Sequence, residues 1–116
     1  MRKSTSNVRM LKRKLSKCKD VCRTYNDIQE KYADLLEKDE SVLEFVCNVP
    51  LVDFELEGSY TTDFLVTKTN GDVFIRECVF RDKIAKPMSI KLLDASYRYW
   101  HSRGINDWGI VTNEEI

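Results

Sequence analysis

Tyr60-Thr61-Thr62-Asp63-Phe64-Leu65-Val66-Thr67-Lys68-Thr69-Asn70-Gly71-Asp72-Val73-Phe74-Ile75-Arg76-Glu77-Cys78-Val79 reads as a β-hairpin that sets two carboxylates in an otherwise apolar sheet. Asn70-Gly71 between two β-rich runs is the strongest short hairpin signal a sequence carries. The register decides what the hairpin can do. A two-residue turn at Asn70-Gly71 pairs Asp63 with Cys78 and Leu65 with Arg76. A three-residue loop, Thr69 to Gly71 with Gly71 as the left-handed bulge residue, pairs Leu65 with Ile75, Thr67 with Val73 and Asp63 with Glu77. The second register matches apolar with apolar and is the one expected. It projects Asp63 and Glu77 from one face. Two like charges at that separation each raise the cost of ionising the other, and a metal ion is the usual reason to place them so. The plain alternative is a pair of strand-end carboxylates reaching solvent, since Asp and Glu are depleted in strands but not excluded.

The 116 residues suffice for one domain with a single core. Formal net charge is zero, but its distribution is lopsided. Residues 1–23 hold nine of the nineteen Lys and Arg and one acid, Asp20, a net of about +8; the remainder carries about −8. A basic arm on an acidic body is a candidate phosphate-binding element, with Arg9, Lys12, Arg13, Lys14, Lys17 and Lys19 as the DNA-contacting residues. The competing reading is an arm that neutralises the body or adds solubility. No apolar run approaches a membrane span, and no apolar h-region follows the basic start, so no membrane association and a cytoplasmic location are expected. In that compartment Cys18, Cys22, Cys47 and Cys78 read as free thiols. Cys18 and Cys22 at helical spacing can share a zinc, although paired Cys-x-x-Cys knuckles are missing and the single histidine, His101, is remote.

Around the hairpin the pattern alternates helix and strand. The basic segment 8–22 (Val8, Leu11, Leu15, Cys18, Val21, Cys22) has near-helical apolar spacing. A firmer helix is expected from Thr24, where Thr24-x-x-Asp27 resembles a capping box, with Ile28, Tyr32, Leu35 and Leu36 as its buried stripe and an end near Lys38-Asp39-Glu40. Val42–Val46 and Val49–Leu56 read as strands broken at Pro50 and turned at Gly58-Ser59. Lys86-Pro87 opens the last helix, Ile90, Leu93, Tyr97 and Trp100 keep its period, and Gly104 closes it. Trp108–Thr112 is a final strand, and the crossover places it parallel to the second hairpin strand. The expected fold class is α/β: a mixed β-sheet flanked by helices.

The order of these elements and residues resembles the N-terminal catalytic domain of the TnsA-type transposon endonucleases, within the restriction-endonuclease-like PD-(D/E)xK superfamily, over residues 24–116. Leu35-Leu36-Glu37-Lys38-Asp39 with Val42 is similar to the family's Leu-Leu-Glu-x-Asp-x-x-Val helix end. Tyr60-Thr61-Thr62-Asp63-Phe64 is similar to its Tyr-x-x-Asp-Phe strand. Tyr99-Trp100, Arg103-Gly104-Ile105 and Asp107-Trp108-Gly109-Ile110-Val111-Thr112 resemble its closing helix and strand. The family's winged-helix-like C-terminal domain has no expected counterpart in these residues.

The resemblance implies a metal-dependent DNA endonuclease that nicks double-stranded DNA at transposon ends with a partner transposase. Its acids would bind Mg²⁺, with Mn²⁺ as substitute, to polarise a phosphate and activate water. Asp63 matches the family Asp, and Glu77 the first residue of the Glu-x-Lys motif; both are expected metal ligands. Two positions depart. Gln29 stands where the family has a helix Glu and offers an oxygen without charge, whereas Glu30 points away from the buried stripe. Val79 stands at the motif Lys. Arg81 and Lys83 follow it and are the candidate replacement cations, although arginine stays protonated and cannot serve as a base. The alternative is a catalytically degenerate nuclease-fold module that binds DNA or a transposase without cutting. A third reading is a small α/β scaffold unrelated to DNA, in which Tyr97, Tyr99, Trp100 and Trp108 are simply core.

Overall fold

The structure is a computed structural model, and it describes residues 10–114. Its elements in chain order are β1 (Leu11–Arg13), β2 (Cys22–Thr24), α1 (Asp27–Lys38), β3 (Val42–Pro50), β4 (Thr61–Lys68), β5 (Val73–Cys78), a 3₁₀ turn (Arg81–Lys83), α2 (Pro87–His101) and β6 (Asp107–Val111). Strands β3-β4-β5-β6 form one mixed sheet, antiparallel except for the β5–β6 pair, and β1-β2 form a separate two-stranded ribbon. This is the α/β architecture expected. No helix among the described residues is long and apolar enough to cross a membrane.

The hairpin adopts the three-residue loop. Leu65 pairs with Ile75 and Thr67 with Val73. Gly71 takes φ 95°, which an L side chain rarely adopts, and its N–H closes onto Lys68 O at 2.9 Å. Strand alternation then divides the core between two faces. Phe64, Val66, Phe74 and Cys78 pack with Phe45 and with Ile28, Ala33 and Leu36 of α1. Leu65 and Ile75 pack on the other side with Trp100, Tyr99 and Leu92 of α2, and with Trp108. Trp108 pairs with Ile75 in the parallel ladder, as the crossover requires.

Several expectations near the N-terminus are corrected. The segment through residue 22 is a ribbon rather than a helix, with Leu11 opposite Thr24 and Arg13 opposite Cys22. Thr24 belongs to β2, and Asn26 is the true N-cap of α1: its Oδ1 accepts from Gln29 N at 2.9 Å. A β-branched threonine buried against the core is better used as a strand residue than as a cap. Strand β3 runs unbroken through Pro50, because proline at a strand terminus needs no N–H for the ladder. Residues 51–60 are irregular rather than a second strand. Helix α2 starts at Pro87 as expected, but Ile90 and Tyr97 are exposed; its buried positions are Ser89, Leu93, Ala95, Ser96 and Trp100.

Candidate functional site

The ladder between β4 and β5 ends at Phe64–Arg76. One step further the register sets Asp63 opposite Glu77, and there the carboxylates replace backbone partners. Asp63 N–H donates to Glu77 Oε1 at 2.9 Å, and Cys78 N–H donates to Asp63 Oδ2 at 2.7 Å. Each acid thus accepts an amide proton from the opposing strand, which satisfies the main chain where the strands part.

The remaining oxygens are met from opposite sides of the sheet, so the expected shared face is not what forms. Gln29 of α1 donates Nε2–H to Asp63 Oδ1 at 2.8 Å. Glu77 Oε2 accepts from Thr62 Oγ1 at 2.9 Å and from Ser96 Oγ of α2 at 2.6 Å. Those hydroxyls are themselves aimed: Trp100 Nε1–H donates to Thr62 Oγ1 at 2.7 Å, and Trp108 Nε1–H to Ser96 Oγ at 3.1 Å. Indole is a donor only, so each hydroxyl spends its acceptor capacity on a tryptophan and turns its proton toward Glu77. Asp63 is 2% exposed and Glu77 is fully buried. Burial and the neighbouring Asp63 charge together push the Glu77 carboxyl up to about 7.

Gln29 is oriented by the same logic. Its Oε1 accepts Tyr25 N–H at 2.6 Å, which leaves only its N–H₂ to face Asp63. The expectation that Gln29 offers an oxygen to a metal is therefore corrected: it is a hydrogen-bond donor, held by the start of α1. Mg²⁺ seeks near-octahedral oxygen coordination and keeps several waters. A buried pair whose four oxygens each accept a protein hydrogen bond, with an amide N–H₂ at the third position, does not fit that ion as arranged.

The two cations that were expected to replace the motif lysine lie elsewhere. Val79, at the lysine position, is buried. Arg81 is exposed on the 3₁₀ turn and pairs with Glu114 at 2.9 Å. Lys83 is exposed, with Nζ 5.8 Å from the Phe80 ring centre. The structure therefore brings together Asp63, Glu77 and Gln29 of the five expected catalytic residues. It adds Ser96, Thr62, Trp100 and Trp108. A polar residue within the buried stripe of α2 was the available signal for Ser96, since a hydroxyl there needs a partner and the buried indoles need acceptors.

Of the expected DNA-contacting residues, Arg9 lies outside the described residues. Lys12 and Lys14 are exposed beside the ribbon. Arg13 is bound to Asp34 at 2.6 Å, Lys17 Nζ donates to Asp39 O at 2.6 Å, and Lys19 stands 3.6 Å from Glu44. Part of the arm's charge is thus spent on the acidic body. The cysteines are likewise rearranged: Cys18 bridges to Phe45 and Cys22 lies in β2, so they are not one helical turn apart. No family model matches the chain, and no curated protein matches it.

Proposed function

We propose that this chain is a TnsA-like, restriction-endonuclease-like module that engages double-stranded DNA beside a partner transposase, and that its carboxylate centre serves as a closed structural core rather than a cutting site. The observation that carries this reading is the Gln29 amide. Its oxygen is occupied by Tyr25 N–H and its N–H₂ by Asp63, so a position that the family uses for a metal ligand supplies a donor to the acid instead. The buried Val79 at the lysine position supports the same choice. Losing one transition-state contact commonly costs about 10²–10³ in rate, so two uncompensated departures leave little hydrolysis. Lys12 and Lys14, exposed on the ribbon, are cations that can approach a phosphate backbone.

A second reading is favoured by one feature: β4 and β5 part at the two acids that match the family motif. In it the chain is a Mg²⁺-dependent endonuclease, with Asp63 and Glu77 binding the ion once Gln29 turns away and with Arg81 or Lys83 moving in. Calorimetric titration of the full chain and of Asp63→Ala with Mn²⁺, with and without duplex DNA, separates the two, together with nicking of supercoiled plasmid. The expected result is no Asp63-dependent Mn²⁺ binding and no nicking. It is accompanied by salt-sensitive duplex binding whose log–log slope falls by about one for each of Lys12→Ala and Lys14→Ala. Mn²⁺ binding and nicking that vanish together in Asp63→Ala reverse the choice. Absence of duplex binding at low salt removes DNA from both readings.

A further inference from the structure

Three of the four cysteines converge from separate segments. Cys18 lies in the turn between β1 and β2, Cys22 opens β2, and Cys47 lies on β3. Cys22 Sγ is 3.4 Å from Cys47 Sγ, Cys18 Sγ is 3.8 Å from Cys47 Sγ, and all three sulfurs lie within 4.8 Å of one another. Thiolates bound to zinc at about 2.3 Å in tetrahedral geometry stand about 3.8 Å apart. The observed separations bracket that spacing without any rearrangement of the backbone.

From this geometry we propose that Cys18, Cys22 and Cys47 form a binding site for one thiophilic d¹⁰ cation, Zn²⁺ in the first instance, which staples the basic ribbon to the edge of the sheet. Binding forms three metal–sulfur bonds, and each thiol gives its proton to solvent. Cys18 and Cys22 are buried, while Cys47 is only half-buried, so the cluster opens to solvent on one side and a water can take the fourth position. Three thiolates on a divalent ion leave one negative charge, and Arg13, cross-strand partner of Cys22, stands in that neighbourhood with its guanidinium already paired to Asp34.

The surrounding structure shows what the ion would hold. The ribbon has only three residues per strand, too few to be stable alone. It docks to β3 through a short bridge, in which Phe45 N–H donates to Lys17 O at 2.9 Å and Lys19 N–H to Phe45 O at 3.0 Å, and through Asn48 Nδ2–H, which donates to Arg23 O at 2.8 Å. Cys18 sits at the centre of that bridge. Small apolar packing is the ordinary use of buried cysteine and is served equally well by alanine or valine. It gives no reason for three sulfurs from three segments to meet. The inference is independent of the DNA reading, and its test contains no DNA.

The full chain, purified under reducing conditions, is assayed for metal, stripped with chelator and titrated with Co²⁺. The expected result is one equivalent bound per chain, with thiolate charge-transfer absorption and the intense visible bands of a tetrahedral ion, displaced by Zn²⁺. Both signals should be lost in Cys22→Ser and Cys47→Ser and kept in Cys78→Ala, whose sulfur lies outside the cluster. X-ray absorption of the Zn²⁺-loaded wild type should show about three sulfur neighbours, a readout that needs no variant to fold. A folded wild type that gives no thiolate band overturns the proposal, as does a band unchanged in both serine variants. A Cys22–Cys47 disulfide in the unreduced protein, with no metal bound after reduction, assigns the cluster to redox chemistry and overturns it as well.

Discussion

The carboxylate centre lies on β4 and β5, and the thiol cluster joins the ribbon to β3 of the same sheet, yet they handle burial in opposite ways. Asp63 and Glu77 are costly to bury, and the fold surrounds them with donors: two opposing-strand amides, the Gln29 amide and two hydroxyls oriented by tryptophans. The cysteines are cheap to bury, because a thiol is a weak donor and weak acceptor. Their hydrogen-bonding contacts run largely to one another. Residues that chemistry would pair with a hard metal are closed by protein donors, whereas the soft ligands are left facing each other. A ligand set's appetite for a metal is therefore judged by what already satisfies its atoms, not by its residue types alone.

The largest expected effect tests the closed half of this contrast. Glu77→Ala strands the Thr62 and Ser96 hydroxyls and the Asp63 amide in the core, and it should lower unfolding free energy by about 3–5 kcal/mol in urea denaturation. Glu77→Gln should cost less, about 1–2 kcal/mol, since one amide oxygen still accepts. Its charge dependence has a defined sign. Burial and Asp63 raise the folded-state pKa of Glu77 to about 7, above its unfolded value. The stabilising contribution of its protonated form is complete in acid and is lost as pH rises toward that value. Over this window the Glu77 part of the stability should fall with a slope of at most about 1.4 kcal/mol per pH unit. That slope should disappear in Glu77→Gln. A stability profile unchanged by the substitution would show that Glu77 does not hold its proton in the fold.

Next in size is Gln29→Glu, which changes a donor into a third acid. Tyr25 N–H still finds an oxygen, but the other carboxylate oxygen now meets Asp63 Oδ1 where Gln29 Nε2 stood at 2.8 Å. The metal-free variant should lose about 2–3 kcal/mol from like-charge contact and the lost hydrogen bond. Added Mn²⁺ should restore part of that loss, measured as a rise in Tm, while leaving the wild type unmoved. If Mn²⁺ stabilises both proteins equally, the centre was never closed to metal. A smaller effect, about 1–2 kcal/mol, is expected from Ser96→Ala, which removes one donor from Glu77 and the acceptor of the Trp108 indole.

The two regions also differed in how far they could be read from the chain. The carboxylate pair was legible because its determinants are local: Asn70-Gly71 specifies the loop, and Leu65–Ile75 and Thr67–Val73 specify the register. The crossover that brings β6 beside β5 was legible for a similar reason, through Pro87 at the start of α2 and Gly104 before the last strand. The hydroxyl pair was hidden because Ser96 and Thr62 acquire meaning only when tryptophans from α2 and β6 converge on them. In the thiol cluster Cys18 and Cys22 were paired by their spacing, whereas Cys47 and the ribbon that meets it were hidden more deeply. Leu11, Leu15, Cys18 and Cys22 recur at three- and four-residue intervals, so their spacing imitates a helix. What overrides it is the exposed edge of β3, which pairs through Phe45 with the turn carrying Cys18. An edge strand's demand for partners cannot be seen in the segment that meets it.

The smallest expected effect completes the comparison. In the metal-free protein Cys47→Ala removes one half-buried sulfur and its two weak contacts, and it should cost less than about 1 kcal/mol. With Zn²⁺ present the same substitution should cost more, because ligand binding stabilises the folded state by RT ln(1 + [L]/Kd), about 2.7 kcal/mol at one hundred times Kd. The difference between the two measurements isolates the metal, since the packing loss is common to both. Ser96→Ala supplies the opposite control: its cost should be the same with or without Zn²⁺, because Ser96 bonds Glu77 and lies in the other core cluster's neighbourhood. A Cys47→Ala cost that does not depend on Zn²⁺ would reduce the three sulfurs to packing and remove the contrast between the two regions. A cost that grows with Zn²⁺ while the Ser96→Ala cost stays constant would place metal dependence at the arm and not at the acids.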